Sequence, residues 1–237
     1  MRPRLEWVSS PLPWMQANGV QTLNDVNDIF TTALAKGGSA DVYKATWRGR
    51  QVVLKVFRGD PKLALKKLLR ELKVWRLVRH AHIQELLGVR YAGDVPTLVS
   101  PFYEFTNLHA YFHYCRGYMK STWVDVLKTE LLCGVLLGLD YLHTQSTPII
   151  HGDIKAANIF VTENGTAVIG DFGTSVQAIA LHDRAALRQH IRQCGPCNGN
   201  ATTSTSISAL RGTLRWMAPE LITEDNPVHT IRTDIWA

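Results

Sequence analysis

The sequence predicts an α+β protein with a small β-rich region followed by a mostly helical one. Three observations carry this. Short β-branched runs crowd residues 29–100 around one basic amphipathic helix, and helical periodicity takes over from there. The 237 residues, 46% hydrophobic and 19% charged, hold enough apolar material for one substantial core or two small lobes. This composition excludes a disordered chain, a collagen-like repeat and a disulfide miniprotein. No stretch approaches the ~20 apolar residues of a membrane span; the longest candidate, Leu131–Leu139, is bounded by Glu130 and Asp140. The N-terminus carries charge but no apolar run followed by small residues, so no secretory signal is expected. Four cysteines are too few for a disulfide framework and fit a reducing compartment, cytoplasmic or nuclear.

Taken in order, residues 1–28 contain three prolines and no sustained period, which predicts an irregular leader. Strand-like runs follow at Ile29–Leu34, Val42–Trp47 and Val52–Phe57, with Arg48-Gly49-Arg50 as a tight turn. Asp60 as N-cap and Pro61 at the first helical position start the basic helix. Two further strands, near Leu86–Tyr91 and Thr97–Ser100, are joined by Gly93-Asp94, giving five strands and one helix. Helices are then expected over Asn107–Arg116 and about Thr122–Gln145, the second carrying Leu127, Leu131, Val135, Leu139 and Leu142. Short apolar runs at Ile149-Ile150, Ile159–Val161 and Ala167–Ile169 come next, with an Asn164-Gly165 turn between the last two. The polar stretch from Thr174 to about Ser208 has the composition of a loop.

The net charge of +6 is concentrated in the basic helix, where Lys62, Lys66, Lys67, Arg70, Lys73, Arg76 and Arg79 face the single acid Glu71. A nucleic-acid partner is not expected, because aromatic stacking residues are not interleaved and no zinc or helix-turn-helix signature lies nearby. The pattern reads instead as a helix with Leu65, Leu68, Leu72 and Trp75 toward a core and its charges toward water.

Three short motifs stand in one order: Val53-Leu-Lys55 on a strand, His151-Gly-Asp153-Ile-Lys155-Ala-Ala-Asn158 in a loop, and Asp171-Phe-Gly173 after another strand. Each alone is weak. Together with Glu71 on the intervening helix and Ala218-Pro-Glu220 downstream, they resemble the protein kinase family over about residues 29–237. The resemblance implies an N-lobe at 29–99, a hinge at 100–104 and a partial C-lobe at 105–237, with ATP and magnesium in the cleft and a protein substrate. It implies that Lys55 grips the α- and β-phosphates and Glu71 orients it. Asp171 and Asn158 hold the metal, Asp153 accepts the substrate hydroxyl proton, and Lys155 neutralises the transferring phosphate. Such groups suit a loose transition state, which asks the protein mainly to align reactants and neutralise charge. All six polar positions are filled with the expected type.

Lys155, where tyrosine kinases place an arginine in this loop, implies serine/threonine specificity. Arg211-Gly-Thr213 and Trp216-Met-Ala-Pro-Glu220 resemble the tyrosine kinase-like group of serine/threonine kinases, with Thr213 hydrogen-bonded near Asp153 and Lys155. Other positions depart from the family. Its glycine-rich loop aligns here as Ala35, Gly37, Ala40 and Val42, which implies weaker ATP affinity rather than its loss. Val53 would roof the adenine and Phe160 floor it. Pro101 would offer its carbonyl, Tyr103 an N–H donor, and Ser100 a small side chain opening space behind the base. Gly152 stands where many kinases carry an arginine that pairs with a phosphorylated loop, so loop phosphorylation is not expected to be an obligatory switch.

His151 and Phe172, with Trp75 and Leu86, match an apolar stack coupling the helix to the two catalytic loops. As a metal ligand His151 lacks a second histidine or cysteine at ligand spacing. Cys194-Gly-Pro-Cys197 resembles a redox motif, but polar loop residues flank it, and an inert loop is expected. The function expected is ATP-dependent phosphoryl transfer to serine or threonine hydroxyls of proteins. The alternative is a pseudokinase, or a truncated fragment, binding nucleotide or a partner protein. Oligomeric state is left open. Thr233-Asp234-Ile235-Trp236-Ala237 matches the first turn of the long central C-lobe helix, with Asp234 holding the catalytic-loop backbone. The resemblance then implies an unpaired Glu220 and an exposed apolar face near Leu132 and Leu136.

Overall fold

The computed structural model describes residues 13–92, 95–178, 212–224 and 227–237. Residues 1–12 of the expected leader, the Gly93-Asp94 turn, the Cys194–Cys197 motif, the hydroxyls of 202–208 and Arg211 lie outside them.

The N-lobe forms where β3 (Ala40–Trp47) and β4 (Arg50–Phe57) pair as an antiparallel hairpin. Arg48 and Gly49 both take positive φ, 49° and 75°, the backbone of a two-residue turn whose twist matches the flanking strands. β4 pairs in turn with β6 (Val95–Pro101), and β6 with β5 (Gly88–Ala92). Strand alternation gives β4 two working faces. Val52 and Leu54 join Leu23, Val26, Ala45 and Val99 in one buried cluster, while Phe57 joins the larger core beneath α2 (Pro61–Trp75). α2 begins as its sequence dictates: the Asp60 side chain accepts from Lys62 and Leu63 N–H, and Pro61 occupies the first turn. Ala64, Leu68, Glu71, Leu72, Val74 and Trp75 are buried and Leu65 is half-buried.

Two expectations are corrected at the sheet's edge. Ile29–Leu34 is not a strand. The edge consists of β1 (Val26–Asn27) and β2 (Ala35–Lys36), both on β3, which makes the sheet six-stranded rather than five-stranded. Asn27 lies opposite Thr46 and Ala35 opposite Val42, so the edge segment spends more residues than its partner between the two pairs. The excess bulges outward through Asp28 at φ 48°, which leaves Ile29, Phe30 and Leu34 exposed. Residues 13–28, expected to be irregular, are instead packed on the lobe. α1 (Pro13–Ala17) buries Met15, and Leu23 and Val26 cover the outer face of the sheet.

The C-lobe is built on α3 (Leu108–Tyr118) and α4 (Ser121–His143). Leu131, Val135, Leu139 and Leu142 of α4 enter the core. Gly134 and Gly138, one turn apart, bring α4 against the segment leaving α2: a Cβ on Gly138 would stand 2.8 Å from the His82 carbonyl and 2.9 Å from Ile169 Cδ1. The opposite face of α4 leaves Leu132, Leu136 and Leu137 exposed. Four short strands complete the lobe: β7 (Ile149–Ile150) with β10 (Val176–Gln177), and β8 (Ile159–Val161) with β9 (Ala167–Ile169) around Gly165 at φ 77°. Two short helices close the described chain, α5 (Glu220–Thr223) and α6 (Ile231–Trp236).

Candidate active site

The β4 pleat that sends Leu54 into the outer core sends Lys55 the other way, toward α2. There its ammonium donates to both oxygens of Glu71 at 2.8 Å and to Asp171 Oδ1 at 2.7 Å. Glu71 is buried, its side chain 1% exposed, because it lies on the apolar face of α2 and not among the cations of the outer face. Burial pushes Glu71 up to about 7, against the pull of the Lys55 ammonium. Burial also works against the charge on Lys55, but Glu71 and Asp171 outweigh it and raise its pKa above the ordinary lysine value. Asp171 is held below the usual carboxylate range despite burial, Lys55 being the main cause. Asp171 follows β9 at φ 65°, a left-handed turn that aims its carboxylate back into the cleft. Phe172, fully buried, stacks on Trp75 at 5.9 Å and meets His151 edge-on at 5.3 Å, with Leu86 packed on the same core.

The loop after β7 is held from beneath by Asp234 of α6. Its carboxylate accepts from the N–H groups of His151 at 2.7 Å and Gly152 at 2.8 Å, and from His143 Nε2 at 3.0 Å. His151 uses both ring nitrogens: Nε2 lies 3.0 Å from the Gly170 carbonyl and Nδ1 accepts from Asp153 N–H at 3.3 Å. It is therefore a structural link between the two loops rather than a ligand, and among the described residues no cluster of three or more metal-ligating side chains exists. Asp153 Oδ2 accepts from Lys155 Nζ and from Asn158 Nδ2, the latter at 3.0 Å. Lys155 Nζ also donates to Thr213 Oγ1. The other Asp153 oxygen, Oδ1, is buried with no hydrogen-bond partner among the described residues. An orphaned buried acceptor at the mouth of a lysine-threonine pair is a place for an incoming donor.

The remaining positions surround the cleft. Ala35 is exposed in β2 and Gly37 lies in the exposed turn between β2 and β3, where Gly37 N–H bonds the Ala40 carbonyl at 2.9 Å and Arg58 bonds the Gly37 carbonyl. Val42 pairs with Lys55 and Val53 with Ser100, both half-buried. Tyr103 stacks on Phe160 of β8 at 5.5 Å, close in the chain to Pro101 at the end of β6. Burial, then the Glu85 charge, pushes the Tyr103 phenol up to about 12, so it is neutral. Ser100 is buried, and its hydroxyl accepts from Gln84 Nε2 at 3.2 Å.

Asp171 and Asn158 offer one carboxylate, 42% exposed, and one amide oxygen. That donor set suits a hard divalent cation completed by phosphate oxygens. Two contributors escaped the sequence reading, His143 and Gln84, whereas Gly212 stood in the Arg211-Gly-Thr213 motif without a role of its own. Gly212 takes φ 109° where a Cβ would stand 2.7 Å from the Gly152 carbonyl, so only glycine lets Thr213 reach Lys155.

The chain matches the family described as protein kinase domain over residues 30–237. It is 28% identical to the Pelle-like serine/threonine-protein kinase pik-1 of Caenorhabditis elegans, over 87% of this chain and 41% of that protein. It is 29% identical to the L-type lectin-domain containing receptor kinase I.3 of Arabidopsis thaliana, over 86% and 27%. It is 28% identical to the serine/threonine-protein kinase STY46 of the same plant, over 81% and 29%. The chain thus spans less than half the length of these relatives.

Proposed function

This chain belongs to the protein kinase domain family, and from that premise we propose that it transfers the γ-phosphoryl group of ATP to serine or threonine hydroxyls of protein substrates. The observation that carries the proposal is Asp153 Oδ1, buried and without a partner beside Lys155 and Thr213. A substrate hydroxyl there donates its hydrogen bond to Oδ1, and its proton passes to Asp153 as the oxygen bonds the γ-phosphorus. The bond from that phosphorus to the β-phosphate oxygen breaks, and ADP leaves. Lys155, beside Asp153 and Thr213, neutralises the phosphoryl oxygens in this reading. Lys55, held by Glu71, takes the α- and β-phosphates. Ala35, Gly37, Val42 and Val53 cover the nucleotide from above, Phe160 lies under the base, and Pro101 and Tyr103 meet its edge. Asp171 and Asn158 would hold magnesium, which when bound would supply charge neutralisation to the phosphates.

The residues of the Lys155 loop and the Thr213 segment support placement in the tyrosine kinase-like group, as do the similarities to Pelle-like and receptor kinases. Among the described residues no helix is long and apolar enough to cross a membrane, and a cytoplasmic or nuclear setting is proposed. The reading as a pseudokinase is not favoured, because every polar position the chemistry needs is filled.

A serine, threonine and tyrosine peptide library with γ-labelled ATP tests this. Label is expected on serine and threonine peptides and is lost in Lys55→Met. Label on tyrosine peptides alone, or label that survives in Lys55→Met, contradicts the proposal.

A further inference from the structure

The outer side of α2 carries a charge that the phosphoryl-transfer chemistry leaves unused. Lys62, Lys66, Arg70 and Lys73 recur at helical spacing, which sets them in one row along the helix, and all four are exposed. The row is about 16 Å long at the helical rise per residue. Among the described residues none of the four forms an ion pair. The two acids between Arg58 and Arg79 are otherwise engaged: Glu71 is buried with Lys55, and the Asp60 carboxylate accepts from Lys62 and Leu63 N–H. Arg76 lies outside the row, over the Trp14 ring at 5.2 Å. Leu63, 44% exposed, follows the first cation of the row, and Leu77, 41% exposed, comes one turn after the last.

We propose that this row is a docking face for an anionic membrane surface, which the chain meets side-on without inserting a helix. Charge complementarity fixes the sign of the partner, and the shape of the face fixes its kind. The row lies on the convex side of a helix whose other side is packed into the lobe, so an extended layer of headgroups reaches every cation at once, whereas a peptide ligand needs a groove or a sheet edge to fix it. Three of the four cations are lysines, compact charges that suit a field of mobile headgroups better than the paired geometry of one bound phosphate, which arginine serves. Leu63 and Leu77 give the face apolar side chains to enter the headgroup boundary. Each cation close to an anionic leaflet multiplies partitioning by about fivefold, and salt screens the attraction. Because Glu71 and Lys55 lie on the inner side of α2, the row can be neutralised without touching them, and the proposal stands apart from the nucleotide reading.

Vesicle flotation tests it, because protein that aggregates stays at the bottom of the gradient. The full chain is mixed with phosphatidylcholine vesicles, or with vesicles in which about one lipid in three is phosphatidylserine. At low ionic strength the wild type is expected to float with the second roughly tenfold more than with the first, and to lose the preference at high salt. Lys62→Gln with Lys66→Gln, Arg70→Gln and Lys73→Gln is expected to lose roughly tenfold or more of the binding. Arg50→Gln with Arg116→Gln, Lys120→Gln and Lys128→Gln removes the same charge from exposed positions elsewhere and is expected to stay within about threefold of wild type. The same is expected of Lys62→Arg with Lys66→Arg and Lys73→Arg, which keeps the charge of the row. Equal flotation of the wild type with both vesicles overturns the proposal, as does an equal loss in the two glutamine variants. Binding of poly-glutamate or of a short DNA duplex without flotation on phosphatidylserine assigns the face to a protein or nucleic-acid partner and overturns it too.

Discussion

Protonation of Glu71 dissolves the ion pair that orients Lys55, and its raised pKa brings that event close to neutrality. The sign is fixed. Above about 7 Glu71 is a carboxylate and Lys55 is held; below it Glu71 is neutral, while Asp171, whose pKa is lowered, stays ionised and keeps Lys55 to itself. Because kcat/KM reports the free enzyme, kcat/KM for ATP is expected to fall as pH drops through about 7, with a slope of about one proton. Glu71→Gln is expected to give a lower profile without that limb, and a limb surviving in that variant refutes the assignment. Lys55→Met leaves Glu71 buried beside Asp171 without a counter-charge, so thermal denaturation should show a loss of up to about 3 kcal/mol, smaller at pH 5 than at pH 8 because Glu71 is protonated there. Lys55 and Asp171 were legible in the sequence because each lies in a short motif, and Glu71 because it is the single acid of the basic helix. Gln84 and His143 were not: each acts through a side-chain bond to a distant residue, Ser100 or Asp234, which leaves no local pattern.

At the scale of elements, α2 was readable from Asp60, Pro61 and its apolar spacing, because cap and periodicity agree. The edge of the sheet was not. β1 and β2 have two residues each, too few to show an alternation, and the apolar run between them is a bulge facing solvent. The joint between α4 and the segment at His82 yields a sharp expectation. Gly138→Val puts a branched side chain within 3 Å of the His82 carbonyl and Ile169. We expect a loss of about 2–4 kcal/mol in denaturant unfolding, from overpacking together with the poor helix propensity of valine; a loss below about 0.5 kcal/mol would show that the joint yields. In the catalytic loop, Gly152 takes φ 78° with the Thr174 carbonyl 3.3 Å and His229 3.5 Å from where a Cβ would lie. No cation issues from this position. Replacing Thr202, Thr203, Ser204, Thr205, Ser206 and Ser208 with alanine is therefore expected to leave most basal phosphotransfer, and a fall to background would contradict it.

Across the whole molecule, the folded unit reaches further toward the N-terminus than the sequence pattern implied. Met15, Leu23 and Val26 are buried, and burial of each is worth about 1.5–3 kcal/mol, a large share of the ~5–15 kcal/mol that holds a domain together. A chain starting at residue 29 is expected to melt at least 10 °C lower or to be insoluble; an unchanged melt would show the segment to be dispensable. Exposed Leu132, Leu136 and Leu137 on α4 lead to a second expectation, that Leu132→Lys with Leu136→Lys raises the solubility of the chain expressed alone. The two-lobed plan was legible because strand and helix periods segregate along the chain. The closeness of Asp153, Lys155 and Thr213 was implied by resemblance alone, since Thr213 is far away in sequence. We propose that the unpartnered oxygen of Asp153 takes the substrate proton. Single-turnover transfer from γ-labelled ATP to a phosphorylatable serine peptide tests it in Asp153→Asn, with nucleotide affinity measured in parallel. ATP affinity is expected to stay within about threefold of wild type while the transfer rate falls by roughly 10²–10⁴-fold. A transfer rate within tenfold of wild type at unchanged affinity would contradict the account.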